Sequence, residues 1–307
     1  MKKRGILFFG LVGASLLIII IMNYRYPFMV SPGGNWSVGF QEASQLSNLK
    51  INPKGIITHQ QVDSMSKNEI SYIADPFFIK EGDTFYLFVE IKGTQNANIA
   101  LFTSLDGKDY DYKGIILDEP FHLSYPQVFR HKGHFYMLPE TKSANQVLLY
   151  KAENFPYTWK IDDTLIKNIA LKDPSVLLSD ELNLIVAVDD DLKQLMFHAD
   201  SLKGKWAEVE SFKSRWGNES RPGGRFIAMG EDWYLPLQSH TRGYGHGISL
   251  YKLLKTEEAY EFRIAEKLFL KPQEEIIWFE RGMHQLDVQQ MDDGSYYMVY
   301  DGDRSRG

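Results

Sequence analysis

The sequence predicts an all-β chain: a five-bladed β-propeller closed by its own N-terminal strands and preceded by one transmembrane helix. Three observations lead there. One hairpin pattern occurs five times, as ADPFFIKEGDTFYLFVE, SYPQVFRHKGHFYMLPE, KDPSVLLSDELNLIVAV, RPGGRFIAMGEDWYLPLQSH and HQLDVQQMDDGSYYMVYDGD. Pro76, Pro126, Pro174 and Pro222 stand 50, 48 and 48 residues apart, a period with room for four short strands and the sequence sign of a propeller. No long helical period follows the first 25 residues.

In chain order, Lys2, Lys3 and Arg4 precede Gly5 to Met22, a run without a charge. A helix of that length covers about 27 Å, near the hydrocarbon thickness of a bilayer. The basic flank predicts an uncleaved signal anchor over residues 1–25, with a cytoplasmic N-terminus and an extracytoplasmic propeller. A cleaved signal peptide competes, although IIIIMNYRYPF is bulky where a peptidase needs small residues. Residues 26–35 read as a tether and 36–307 as one propeller domain. WSVGFQE (36–42) and GIITHQQV (55–62) are strand-like and belong to no repeat, so they are expected to complete the last blade and cover its edge. The first repeat divides into strands at about 76–80, 84–91, 98–104 and 110–117, rich in aromatic and β-branched residues with polar breaks between them. QVLLYKAEN and WKIDDTLI finish the second blade, QLMFHAD and WAEVESF the third, GISLYKL and FRIAEKLFL the fourth. The fifth copy lacks the proline, starts near His284 and has chain for two strands only.

Composition removes several function classes. Hydrophobic residues make up 44% of the 307 and aromatics 14%, enough for a sizeable core. The net charge of −6 is spread without a basic block, so nucleic acid is not an expected partner. Cysteine is absent, which removes disulfides, thiolate catalysis and zinc–thiolate sites. GxSxG, HExxH and Walker patterns are absent too. RGYGHG (242–247) has the glycine content of a phosphate cradle, but no helix stands behind it and it reads as a flexible loop.

The topology then groups the polar residues. In a blade the first strand leaves one face of the ring and the second returns to it, so the start of one and the end of the other share a rim. That pairs Asp75 with Glu90, Tyr125 with Glu140, and Asp173 with Asp189 or Asp190. It also gathers Glu219, Arg221, Arg225 and His240 in the fourth blade, and His284 with Asp301 and Asp303 in the fifth. A single acid at a strand start is an ordinary acceptor of backbone N–H bonds. Several acids at one mouth repel one another unless cations, arginines or a substrate compensate. Tyr72, Trp216, Tyr244 and Trp278 are candidate platforms for sugar rings, whereas Trp233, inside a strand, reads as core.

ADPF, KDPSV and an acid ahead of the fourth blade resemble the five-bladed propeller glycosidases of the arabinanase and β-xylosidase type. ADPFFI…FYLFVE, SYPQVF…FYMLPET, DPSVL and SRPGGR are more specifically similar to the N-terminal propeller domain of plant glucosamine inositolphosphorylceramide transferases and bacterial relatives, over roughly residues 36–303. The plant proteins carry a separate glycosyltransferase domain after the propeller, which this chain is expected to lack, so transferase activity does not come with the resemblance. The glycosidase pattern implies Asp75 as general base and Asp173 as the residue that orients and tunes the acid. It implies Glu219 as general acid, three residues before its proline where the glycosidases usually have two, and leaves Glu140 as the rival. His284, in GMHQLD, resembles a blade-five histidine that faces a central metal, often calcium through water. No other cofactor is implied. Glu90, Tyr125, Asp189, Arg221, Arg225, His240 and Asp301 complete the expected substrate-facing set.

The expected function is inverting hydrolysis of a glycan or glycolipid at an acidic mouth. The competing readings are a non-catalytic carbohydrate-binding or scaffold propeller in polysaccharide or glycolipid assembly, and a transglycosylase or transferase accessory domain.

Overall fold

Each hairpin repeat folds into its own four-stranded antiparallel sheet. The computed structural model describes residues 2–25, 34–47, 49–66 and 69–304. Blade 1 holds Tyr72–Glu81, Thr84–Lys92, Ala97–Ser104 and Asp111–Leu117; blade 2 holds Ser124–His131, His134–Glu140, Gln146–Asn154 and Thr158–Lys167. Blade 3 holds Lys172–Leu178, Asn183–Val188, Gln194–His198 and Ala207–Glu208; blade 4 holds Ile227–Met229, Asp232–Ser239, Gly247–Lys255 and Tyr260–Leu270. Blade 5 joins Leu286–Gln290 and Tyr296–Asp303 to the N-terminal Trp36–Ala43 and Ile56–Ile57.

The closure is a full-length pairing. Trp36 stands opposite Asp303 and Ala43 opposite Tyr296, so the N-terminal strand covers the edge that the fifth hairpin exposes. Alternation along each strand sends apolar side chains to both faces of the inner sheets, and these fill the wedges between neighbouring blades. Phe77, Phe88, Tyr125, Val128 and Met137 make such a wedge between blades 1 and 2.

Three expectations need correction. GIITHQQV is not one strand: Ile56–Ile57 pairs with the N-terminal strand, and His59–Ser66 is a helix. The cause is a capping box. Gln61 N–H donates to Thr58 Oγ1 at 3.2 Å, and Thr58 N–H donates to Gln61 Oε1 at 2.8 Å. In blade 3, WAEVESF supplies only Ala207–Glu208 to the sheet. The transmembrane helix is the third. Lys2–Arg25 is helical, but among the described residues no helix is long and apolar enough to cross a membrane. Of the expected tether, residues 26–33 lie outside the described residues.

Candidate functional site at the propeller mouth

The site begins with a backbone irregularity repeated around the ring. Asp75, Tyr125 and Asp173 each precede a proline and have left-handed backbones, with φ of 50°, 52° and 49°; Glu219 in blade 4 has 55°. This region is costly for a residue with a side chain, and the strand register slips at the same points in blades 1 to 3. The N–H of each bulged residue is taken by an acid of the preceding blade. Asp301 Oδ2 accepts from Asp75 N–H at 3.1 Å, Asp75 Oδ2 from Tyr125 N–H at 3.2 Å, and Glu140 Oε2 from Asp173 N–H at 3.0 Å. The rim acids therefore stitch blade to blade as well as face the mouth.

Asp75, Glu90 and Glu140 line one cavity of about 260 Å³, together with Arg221, Tyr244 and His284. Trp36, Tyr72 and His122 are also in its wall. Burial dominates the chemistry of the three carboxyls. It pushes Asp75 up to about 7, with His284 opposing and Asp173 and Asp301 reinforcing the shift. Burial and then the charge of Asp173 push Glu140 up to about 8 against the pull of Arg221. Burial and Asp75 raise Glu90 well above the carboxylate range, although Tyr72 donates to its Oε1 at 2.8 Å.

His284 closes one side. Burial lowers its proton affinity, but Asp301, 2.6 Å from Nδ1, and Asp75, 3.9 Å away, outweigh this and its pKa is raised. The indole of Trp36 stacks flat on its ring at 3.8 Å. Asp75, His284 and Asp301 bring ligand atoms within 4.8 Å of one another, so one imidazole and two carboxylates could hold a metal ion. Asp301 Oδ1 already accepts the backbone N–H groups of His284 and Gln285, at 2.9 and 3.0 Å, which fixes the carboxylate's direction.

Other residues named from the sequence do not form the cavity wall. Asp173 is fully buried, forked by the Arg221 guanidinium and bonded by Gln238 Nε2 at 3.0 Å. Glu219 is buried with both oxygens taken, by Ser249 Oγ at 2.7 Å and Tyr251 OH at 2.6 Å. Tyr125 points its hydroxyl down the channel to Ser175 and to Gly224 O. Arg225 sits deeper, held by Asp287 and donating to the carbonyls of Phe78 and Val128. His240 accepts from Gly245 N–H at 2.9 Å and stacks on Tyr244; burial and then Arg221 pull it down to about 3. Asp189 shapes a turn, accepting from the N–H groups of Asp191 and Lys193.

Among the aromatics, Tyr72 and Tyr244 line the cavity, Trp216 and Trp278 do not, and Trp233 packs on the blade 3–4 core. His122 and Trp36 escaped the sequence reading. The available signal for His122 was its place in FHLSYP, just ahead of the second blade's bulge. SRPGGR also gains a reason: a Cβ on Gly224 would fall 1.8 Å from Leu286 O, so only glycine lets blades 4 and 5 meet there.

This geometry stands on a chain whose relatives are known. The family model described as "Glucosamine inositolphosphorylceramide transferase 1, N-terminal" matches residues 19–303. The chain belongs to that family. It is 28% identical to glucosamine inositolphosphorylceramide transferase 1 of Oryza sativa subsp. indica, over 96% of this chain and 44% of the rice protein. To the Arabidopsis thaliana protein of the same name it is 30% identical, over 76% of this chain and 32% of that one. It thus spans less than half the length of these relatives. Among solved structures, the arabinanase of Bacillus subtilis superposes with a TM-score of 0.52 at 14% identity, over 74% of this chain and 93% of that one. The glycosidase resemblance is therefore one of fold.

Proposed function

We propose that the mouth cavity takes a sugar residue of a glycan or glycolipid and hydrolyses its glycosidic bond with inversion. The observation that carries this reading is the set of three buried carboxyls in one cavity, two of them raised to about 7 and about 8. Glu140, protonated at neutral pH, gives its proton to the leaving oxygen. Asp75, closer to ionised, takes a proton from the water that attacks the anomeric carbon from the opposite face. The charge of Asp173 supports the division, because its repulsion helps keep the proton on Glu140. Asp75, His284 and Asp301 are the residues that would hold a cation such as calcium, and its charge would keep Asp75 ionised. The names of the plant relatives put glycolipids carrying an inositol phosphate headgroup first among substrates to try.

The test is incubation of the purified protein with a panel of glycans and glycolipids, with released sugars analysed. Asp75→Asn and Glu140→Gln should abolish release while sugar affinity persists. A panel left wholly uncut by the wild type would remove the hydrolytic reading. One observation favours the second reading, a propeller that binds sugar without cleaving it. The glutamate at the glycosidases' acid position, Glu219, spends both oxygens on Ser249 and Tyr251.

A further inference from the structure

Beside the acidic cavity stands a group of cations that sugar cleavage does not use. Lys142 Nζ and Lys172 Nζ approach the same oxygen, Oδ1 of Asp190, at 2.7 and 3.1 Å. Two ammonium groups converging on one oxygen repel each other unless an anion lies between them. Asp190 supplies that anion from an exposed position, its side chain 62% accessible. It is not needed for the turn that carries it, because the neighbouring Asp189 accepts the turn's N–H bonds from Asp191 and Lys193. The lysines are also close in sequence to residues of the rim. Lys142 follows Glu140 by two residues, and Lys172 directly precedes Asp173, whose N–H is bonded to Glu140. His122 in the wall has its charged form disfavoured by burial first, then by Lys92 and Arg221, with Asp173 opposing and Lys142 adding to the effect, so the charge of Lys142 is felt at the cavity wall.

We propose that Lys142 and Lys172 form an anion subsite beside the mouth, where Asp190 holds the place of an oxyanion, phosphate or carboxylate, attached to the sugar that enters the cavity. An ammonium pair accepts either anion through charge-assisted hydrogen bonds, and the exposed Asp190 side chain can swing aside to release it. This inference rests on the sugar reading of the mouth and names the class of substrate: an anionic saccharide or a sugar linked to phosphate.

The experiment titrates the full chain with glucose, glucuronic acid, glucose 1-phosphate and inorganic phosphate, at low and at high salt. Glucuronic acid or glucose 1-phosphate should bind about tenfold tighter than glucose at low salt, and the margin should shrink at high salt. Which of the two gains more identifies carboxylate or phosphate as the group held. Lys142→Ala combined with Lys172→Ala should erase the margin and leave glucose binding unchanged. Asp190→Asn, which removes the competing carboxylate, should widen the margin several-fold. Equal affinity for charged and neutral sugars in the wild type, or a margin that survives the double substitution, overturns the subsite and leaves the sugar reading standing. Inorganic phosphate binding as tightly as glucose 1-phosphate overturns the claim that the anion belongs to the substrate. Failure of every sugar to bind overturns the sugar reading and this inference with it.

Discussion

Glu140 in blade 2 and Glu219 in blade 4 are both rim glutamates, both buried, yet they face different chemistry. Glu140 opens onto the cavity and accepts one backbone N–H, so burial and Asp173 hold it protonated up to about 8. Glu219 has a hydroxyl on each oxygen, and Arg215 Nε donates to its backbone carbonyl at 2.8 Å. Burial is common to both. The number of hydrogen-bond donors facing the carboxyl separates one that stays open to the cavity from one that anchors a blade.

Substitution can break that contrast, and the largest effect falls on turnover. Asp75→Asn keeps an acceptor for Tyr125 N–H but removes the base, so glycan release should fall by about 10²–10⁴-fold. Glu219→Gln should leave release within about threefold while it lowers stability by about 1–3 kcal/mol. If Glu219→Gln stops release as Asp75→Asn does, blade 4 supplies the acid and the contrast fails. Next comes Arg221→Met, which leaves Asp173 buried without its forked partner and should cost about 3–5 kcal/mol in denaturant unfolding.

A pH series sharpens the comparison. Glu140 titrates from an ordinary 4.5 in the unfolded chain and at about 8 in the fold. Between those values the native state keeps a proton that the unfolded chain has lost. This contribution to stability is whole below about pH 4.5 and fades as pH rises through about 8. Denaturant midpoints should decline across that window, and Glu140→Gln should flatten the decline. The smallest effect belongs to Ser249→Ala. It removes one of two hydroxyls on Glu219 and should cost about 1 kcal/mol without changing sugar binding.

Much of the architecture was legible in the sequence because a propeller writes its period into the chain. The X-Pro starts, the aromatic pairs and the strand alternation recur near every 50 residues, and the unassigned WSVGFQE could only be needed at the open edge. The helix at His59–Ser66 was masked by apolar Gly55 to Ile57 running into it, although Thr58 and Gln61 at capping-box spacing were in view. The rim location of Asp75, Glu90 and Glu140 also followed from topology. Their separation from Asp173 and Glu219 did not, because it depends on which arginines and hydroxyls arrive from other blades.

The sequence by itself determined the fold class, the blade boundaries and the rim as the place where acids collect, since periodicity and strand direction are local properties repeated along the chain. Only the tertiary structure decided which acids remain available. Arg221 reaches Asp173 from 48 positions away, Ser249 reaches Glu219 from 30, and Lys142 and Lys172 meet at Asp190. Such encounters set desolvation and charge at each carboxyl, and those two quantities govern what it can do.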